Sequence, residues 1–191
     1  MLRLQEVYWK HLGFTTQKDL ARKAKSPIVL AEVDRVSFGG DKNAINRHSV
    51  RKYMTQAGVL FMIDRQTDCR PRSFQLYGPM SLDFRGICPG WKVGGHDYFG
   101  NDWSWSHAER VFVAELGATL MLPLDFLREY GKREESAASM ESFTLCGVHF
   151  VSGFMSKAKT PHYFVTGHYQ KGGHEHRFYT THTPKQPNRK S

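Results

Sequence analysis

Five of the ten histidines lie in the last thirty residues: His162, His168, His174, His176 and His182. Lys171-Gly172-Gly173 predicts a hairpin turn between them. A three-residue loop would pair His168 with His176 and place all five histidines on one face of the hairpin. A two-residue Gly172-Gly173 loop would instead pair His168 with Arg177 and break the cluster. The sequence leaves both registers open.

In the first register, three imidazoles form a potential metal site: His168, His174 and His176. Their nitrogens suit Zn²⁺ or Mn²⁺ and would leave coordination positions open for water or phosphate. The His-x-His after a glycine turn, with another histidine six residues before it, resembles the metal site of relaxases and rolling-circle replication nucleases. The resemblance implies a metal that polarises phosphate and a tyrosine nucleophile, for which Tyr8 or Tyr53 is the candidate.

The same segment also has the composition of a nucleic-acid contact surface. From Lys157 onward there are seven lysines and arginines against one acid, Glu175, and aromatic residues alternate with them. Basic side chains bind phosphates, and aromatic rings stack on unpaired bases. We therefore expect Lys171 and Arg177 to contact nucleic acid, with the basic tail adding affinity. The open alternative is a solvated hairpin that packs some of its aromatic residues into the core.

A second basic element is predicted near the N-terminus. The stretch Asn46–Ala57, followed by Gly58, predicts a helix with Val50, Tyr53 and Met54 facing the core. Its other face would present to DNA the residues Arg47, His48, Ser49, Arg51 and Lys52. Together with Thr16–Arg22 and Gly58-Val59-Leu60, it resembles the recognition helix and first wing strand of winged helix-turn-helix proteins over residues 15–63. An amphipathic helix with a solvated basic face is the alternative. The following basic loop carries Arg70 and Arg72, which could touch phosphate.

The middle of the chain concentrates further titratable groups, namely His96, Asp97, Asp102, His107 and Glu109. These residue types can form a carboxylate–histidine metal or acid–base site. Turns, an N-cap at Ser106 and a capping box with Glu109 explain several of them without any activity.

The elements that must position these groups predict an α+β fold with a helical N-terminal part, a mixed middle with one long helix, and a C-terminal antiparallel β region. Helices are expected at 2–12, 17–25, 46–57 and 106–130, the last split by Pro123, and short strands at 59–63, 74–77 and 91–93. Residues 27–36 fit a strand or a short helix, 131–141 a linker, and 143–183 antiparallel strands. The predicted parts are a helix-turn-helix-like 1–63, an α+β 64–183 ending in the hairpin, and a basic tail 184–191.

Composition limits the function classes. The 191 residues are 40% hydrophobic, which suffices for a core, and carry a net charge of +9, which favours an anionic partner. Three cysteines without a CxxC predict reduced thiols. No P-loop or dinucleotide fingerprint occurs. The absence of a signal core or long apolar run predicts a cytoplasmic protein without a membrane partner. The leading hypothesis is a non-enzymatic regulatory or accessory protein that binds DNA or RNA. The alternatives are a metal-dependent nuclease and a protein-binding subunit or inhibitor of a nucleoprotein complex.

Overall fold

The computed structural model describes residues 28–38, 48–66, 73–80, 82, 92–99 and 104–184. The chain divides into two compact units, residues 1–121 and 122–191, each of which is described by itself. The helices expected at 2–12 and 17–25 and the tail from residue 185 lie outside the described residues.

The N-terminal unit is built on a six-stranded sheet with the order β5-β4-β3-β2-β1-β6. Its strands are β1 Val29–Phe38, β2 His48–Thr55, β3 Leu60–Gln66, β4 Ser73–Met80, β5 Lys92–Phe99 and β6 Thr119–Met121. The first five form an antiparallel meander, and β6 pairs in parallel with β1. A helix, α1 (Trp105–Leu116), provides the crossover that a parallel pair requires.

The predicted helix over 46–57 is wrong, because this stretch contains strand β2 in the middle of the sheet. The apolar spacing that indicated a helix also fits a strand that is buried on both faces. Val50 and Met54 are four residues apart, so they share one face of a strand as well as one face of a helix. Tyr53 is buried on the opposite face of β2, against α1. Neighbouring strands β1 and β3 therefore decide the structure of this segment in place of local periodicity.

The single long helix expected over 106–130 is also wrong. Helix α1 ends at Gly117, whose φ of 61° terminates it in the left-handed conformation. Strand β6 follows, and a second helix, α2 (Pro123–Tyr130), begins with Pro123 in its first turn. The N-cap of α1 is Ser104 and not Ser106, since the Ser104 hydroxyl accepts a hydrogen bond from the His107 backbone N–H at 3.1 Å.

The core of the N-terminal unit is aromatic. The Phe112 ring of α1 packs against Tyr53 and Phe61, with ring centroids 5.6 Å apart in both pairs. The other face of the sheet is buried too, at residues such as Met54 and Met62. Burial on both faces explains why these strands carry nearly continuous apolar runs.

The C-terminal unit is a five-stranded antiparallel meander with the order β11-β10-β9-β8-β7. Its strands are β7 Lys132–Glu134, β8 Met140–Leu145, β9 Val148–Met155, β10 His162–Lys171 and β11 His174–His182. The predicted antiparallel region over 143–183 is therefore confirmed. The linker expected over 131–141 is wrong, because this range contains β7 and the start of β8.

Helix α2 packs on one face of this second sheet, called here the helix face. Its buried Phe126 and Leu127 meet a layer in which Phe143, Phe150 and Phe178 are also buried. The described part of the chain is thus mostly β, with two short helices, and the expected α+β architecture with a helical N-terminal part is incorrect. No helix within the described residues is both long enough and apolar enough to cross a membrane.

Candidate nucleic-acid interface

The C-terminal hairpin adopts the two-residue turn. Gly172 and Gly173 have φ values of 57° and 75°, and Lys171 pairs with His174. Two successive positive φ values are typical of a type I′ turn, which matches the twist of the flanking strands. His168 consequently pairs with Arg177.

This register divides the five histidines between the two faces of the sheet. His162 and His168 lie on the face opposite α2, called here the open face, whereas the helix face receives His174, His176 and His182. The structure therefore does not bring the predicted metal ligands His168, His174 and His176 together. Among the residues that the structure describes, no group of three or more metal-ligating side chains is arranged to hold an ion.

Two of the three helix-face histidines pack on tyrosines. His176 stacks on Tyr169 with a centroid distance of 4.9 Å and an interplanar angle of 15°, and His182 stacks on Tyr163 at 5.3 Å and 21°. His176 is half-buried in this stack, so its ring contributes packing to the edge of the core.

On the open face, one row of directly opposed residues crosses all five strands, here called the histidine row: Lys132, Thr144, His149, His168 and Arg177. Directly opposite residues of antiparallel strands have neighbouring side chains on the same face. The His149 and His168 rings lie with centroids 5.5 Å apart and an interplanar angle of 33°. His149 is exposed and His168 is half-buried.

The cations at the two ends of the histidine row are exposed to solvent. The Arg177 side chain is 76% exposed, and its contact with Glu175 is long, with 3.4 Å between the guanidinium nitrogen and the carboxylate oxygen. An exposed ion pair of this kind contributes little to stability, so its exchange for a phosphate costs little. Glu134 also lies on the open face, where its carboxylate accepts a hydrogen bond from the Thr144 hydroxyl at 3.3 Å.

Two aromatic residues extend the open face beyond the histidine row. Tyr179 lies two residues further along β11 than Arg177, opposite Thr166, and is 51% exposed. Phe164 is half-buried and lies across Gly153, since a Cβ built on Gly153 would be 2.7 Å from the Phe164 Cε1 and Cζ atoms. The absence of a side chain at Gly153 therefore leaves room for the Phe164 ring to lie directly on the sheet.

Close packing on the helix face fixes the strands that carry the histidine row. Gly167 lies beside His168, and a Cβ built on it would be 2.7 Å from Cε1 of the fully buried Phe150.

At the edge of the sheet, Arg128 of α2 donates two hydrogen bonds to the Glu141 carboxylate at 3.0 and 2.7 Å, and Arg133 donates a third at 2.6 Å. The Arg128 hydrogen bonds, together with the charges of both arginines, hold the pKa of Glu141 below its ordinary value against the opposing effect of burial.

A pocket of about 280 Å³ opens in the C-terminal unit, with Phe154 and Tyr163 in its wall. Two of its polar side chains, Glu141 and Ser152, already have partners within the protein. Glu141 is hydrogen-bonded by two arginines, and the Ser152 hydroxyl donates to the Phe164 carbonyl oxygen at 2.9 Å.

The residues of the predicted recognition helix are separated by the alternation of β2. Arg51 lies on the face toward α1, with its guanidinium 4.2 Å from the centroid of the Trp105 ring. Lys52 points to the other face, 3.6 Å from the carboxylate of the buried Asp34. Ser49 shares the face of Arg51 and is half-buried, whereas for His48 only the strand pairing is described. Arg47, Arg70 and Arg72 lie outside the described residues.

Part of the titratable middle segment packs against this same face of β2. The Tyr53 hydroxyl donates a 2.6 Å hydrogen bond to Glu109 of α1, and Arg35 forms a two-point ion pair with Glu32 at 2.7 and 3.0 Å. Burial, reinforced by Glu109, raises the pKa of Tyr53 above its ordinary range. This cluster ties α1 to β1 and β2. His96 and Asp97 lie on strand β5, and Asp102 lies outside the described residues.

Sequence reasoning missed His149 and Lys132 of the histidine row. The signal for His149 was its place between the apolar Val148 and Phe150, directly after a Cys146-Gly147 turn. That pattern predicts that His149 lies on the opposite face from the core. Lys132 was missed because its strand, β7, has three residues and is too short for an alternation of apolar and polar residues to be recognised.

Comparison of this chain with protein families, with curated proteins and with solved structures finds no match.

Proposed function

We propose that the C-terminal unit binds single-stranded nucleic acid on its open face. The observation that carries the proposal is the histidine row, which places two imidazoles between two exposed cations beside the exposed ring of Tyr179. Lysine and arginine bind phosphate oxygens, and aromatic faces stack on unpaired bases of any sequence.

The shape of the open face favours a single strand over a duplex. Five strands spaced about 4.8 Å apart make a face roughly 19 Å across. The major groove of B-DNA is about 12 Å wide and admits a helix or a two-stranded ribbon, so a five-stranded face cannot reach the base edges there. An unpaired strand can lie flat on the sheet and turn its bases toward Tyr179 and Phe164.

Charge contributes a limited part of the expected affinity. Lys132 and Arg177 are the cations of the histidine row, and Glu134 and Glu175 lie on the same face. Two phosphate contacts give a slope of about −1.4 for the logarithm of the binding constant against the logarithm of salt concentration, at roughly 0.7 per contact for a single strand. Stacking must supply much of the remaining affinity.

The test is a fluorescence-anisotropy titration of the full chain with single-stranded and duplex oligonucleotides over a range of salt concentrations. Arg177→Gln removes one cation from the open face, whereas Lys171→Gln removes one from the same hairpin on the helix face. Both changes lower the net charge equally. The proposal expects Arg177→Gln to weaken binding and to reduce the salt slope by about 0.7, with Lys171→Gln close to the unmodified protein. Equal effects would show that general positive charge, and not the open face, binds the ligand.

Tyr179 tests the stacking contribution. Tyr179→Ala should cost about 1–3 kcal/mol of binding free energy for one stacked base, and Tyr179→Phe should retain most of it because the ring remains. Absence of binding at low salt would refute the proposal. The predicted cytoplasmic location and the DNA or RNA preference stay predictions. The described residues supply no observation that favours a metal-dependent nuclease or a protein-binding subunit.

A further inference from the structure

The His149–His168 pair has a feature that binding alone does not require. The two imidazoles are directly opposed on the adjacent strands β9 and β10, with centroids 5.5 Å apart. Among the residues that the structure describes, neither ring forms a hydrogen bond, so their nitrogens remain available to a ligand. Histidine acts as a general acid in its protonated form and as a general base in its neutral form.

We infer that this pair cleaves RNA without a metal ion, an activity that rests on the proposed binding of nucleic acid to the open face. RNA carries an internal nucleophile, the 2′-hydroxyl, next to each phosphodiester. Cleavage then needs a base at the 2′-oxygen, an acid at the leaving 5′-oxygen and positive charge at the phosphate. The histidine row holds two imidazoles for the first two tasks and Arg177, which is directly opposite His168 on β11, for the third.

The reaction balances without a co-reactant. One imidazole takes the proton of the 2′-hydroxyl as its oxygen attacks phosphorus and forms the new P–O2′ bond. The P–O5′ bond breaks, its electron pair leaves with the 5′-oxygen, and the other imidazole, initially protonated, donates a proton to that oxygen. The products are a 2′,3′-cyclic phosphate and a 5′-hydroxyl. The two histidines end with their protonation states exchanged, and exchange of protons with water restores them.

The scaffold suits this role because both histidines lie on central strands of the sheet. Gly167, next to His168, packs against the buried Phe150, and Val148 and Phe150, which flank His149, are both buried. Catalytic groups on packed strands are held more precisely than groups on loops. The flanking Thr144 and Arg177 share the row and border the pair on either side.

The test uses the full chain, freed of metal with EDTA, and labelled single strands of one sequence as RNA, as DNA and as 2′-O-methyl RNA. The expected result is cleavage of the RNA alone, with fragments whose mass shows a 2′,3′-cyclic phosphate end, while the other two strands are bound and remain intact. His149→Gln and His168→Gln should each lower the single-turnover cleavage rate, measured with enough protein to bind all of the RNA, at least about 100-fold, the range of general acid–base catalysis.

The matched control is His162→Gln. His162 shares β10 and the open face with His168, but its Nδ1 lies 2.8 Å from the Thr160 carbonyl oxygen, and it pairs with Met155 outside the histidine row. This variant should cleave RNA like the unmodified protein. RNA that is bound but stays intact would overturn this inference and leave the proposed function standing. Cleavage that survives both histidine substitutions, or that EDTA abolishes, would also overturn it. Absence of binding to all three strands would overturn the proposed function itself.

Discussion

At two glycines of the second sheet, an added methyl group would overlap a phenylalanine ring to the same extent, but the two rings differ in burial. A Cβ at Gly167 would be 2.7 Å from Phe150 Cε1 on the helix face, and a Cβ at Gly153 would be 2.7 Å from Phe164 Cε1 on the open face. Phe150 is fully buried, whereas Phe164 is half-buried. Comparing alanine substitutions at these two glycines therefore shows how far the loss of stability depends on whether the neighbouring ring can move.

Gly167→Ala should lower the free energy of unfolding by about 2–3 kcal/mol, in the upper part of the range for overpacked cores. The new methyl group would also be 2.9 Å from Cδ1 of the same ring and 3.2 Å from Val148 Cγ1, and the Phe150 ring has no room to move because it is fully buried. Gly153→Ala should cost less than about 1 kcal/mol, because the Phe164 ring can rotate toward solvent. Both substitutions gain the same small benefit from restricting the unfolded chain, so this term cancels in the comparison.

Urea denaturation followed by far-ultraviolet circular dichroism and by the amide NMR signals of the C-terminal unit measures both free energies, because all four tryptophans lie in the N-terminal unit and do not report on this sheet. Coincident transitions by the two probes are required before the values are compared. Gly153→Ala should instead affect binding, since a displaced Phe164 changes the open face. Equal destabilisation by the two variants would refute the reasoning, because it would mean that Phe164 is held as firmly as a core residue.

Substitutions at three further positions test other features of the fold. Glu141→Gln should cost about 1 kcal/mol at neutral pH, as expected for a partly exposed ion-pair network. Hydrogen bonds from Arg128 lower the folded-state pKa of Glu141 below its ordinary value of 4.5. The stabilisation by this ion pair is therefore present above pH 4.5 and is lost as the pH falls through the lowered pKa. Between about pH 5 and pH 2, the urea midpoint of Glu141→Gln should consequently fall less than that of the unmodified protein. Tyr53→Phe removes the 2.6 Å hydrogen bond to Glu109 and should cost about 1.5–3 kcal/mol by urea denaturation; a loss below about 0.5 kcal/mol would contradict a charge-assisted bond. Cys146 has a φ of 50° in its turn, so Cys146→Asn should raise the thermal midpoint by relieving part of a cost of about 1–2 kcal/mol, and Cys146→Val should lower it.

The sequence predicted the strands of the C-terminal unit better than those of the N-terminal unit, for a physical reason. A sheet that is solvated on one face alternates apolar and polar residues, as Val148-His149-Phe150 and Phe143-Thr144-Leu145 do. Strand β2 is buried on both faces and sits between two other strands, so its apolar residues fit a helix equally well. Whether this segment forms a strand or a helix depends on contacts with residues that are distant in sequence, and the local pattern of apolar residues does not show these contacts.

The hairpin register, which the turn residues alone left open, is decided by the core. Val165 and Phe178 are both buried on the helix face. A three-residue turn would shift β11 by one residue and move Phe178 to the face opposite Val165, with Arg177 in its place on the helix face. Burial of a phenylalanine is favourable by about 1.5–3 kcal/mol, and burial of an unpaired guanidinium is strongly unfavourable, so the two-residue turn wins.

The same choice of register creates the candidate site. By turning Phe178 inward it turns Arg177 and Tyr179 outward, beside His168. The register that separates His168 from His174 and His176 is therefore the one that completes the row from Lys132 to Arg177. The packing of the helix face and the chemistry of the open face are consequently linked through β11, and any change that slips this strand by one residue must remove the cation and the exposed tyrosine from the histidine pair at once.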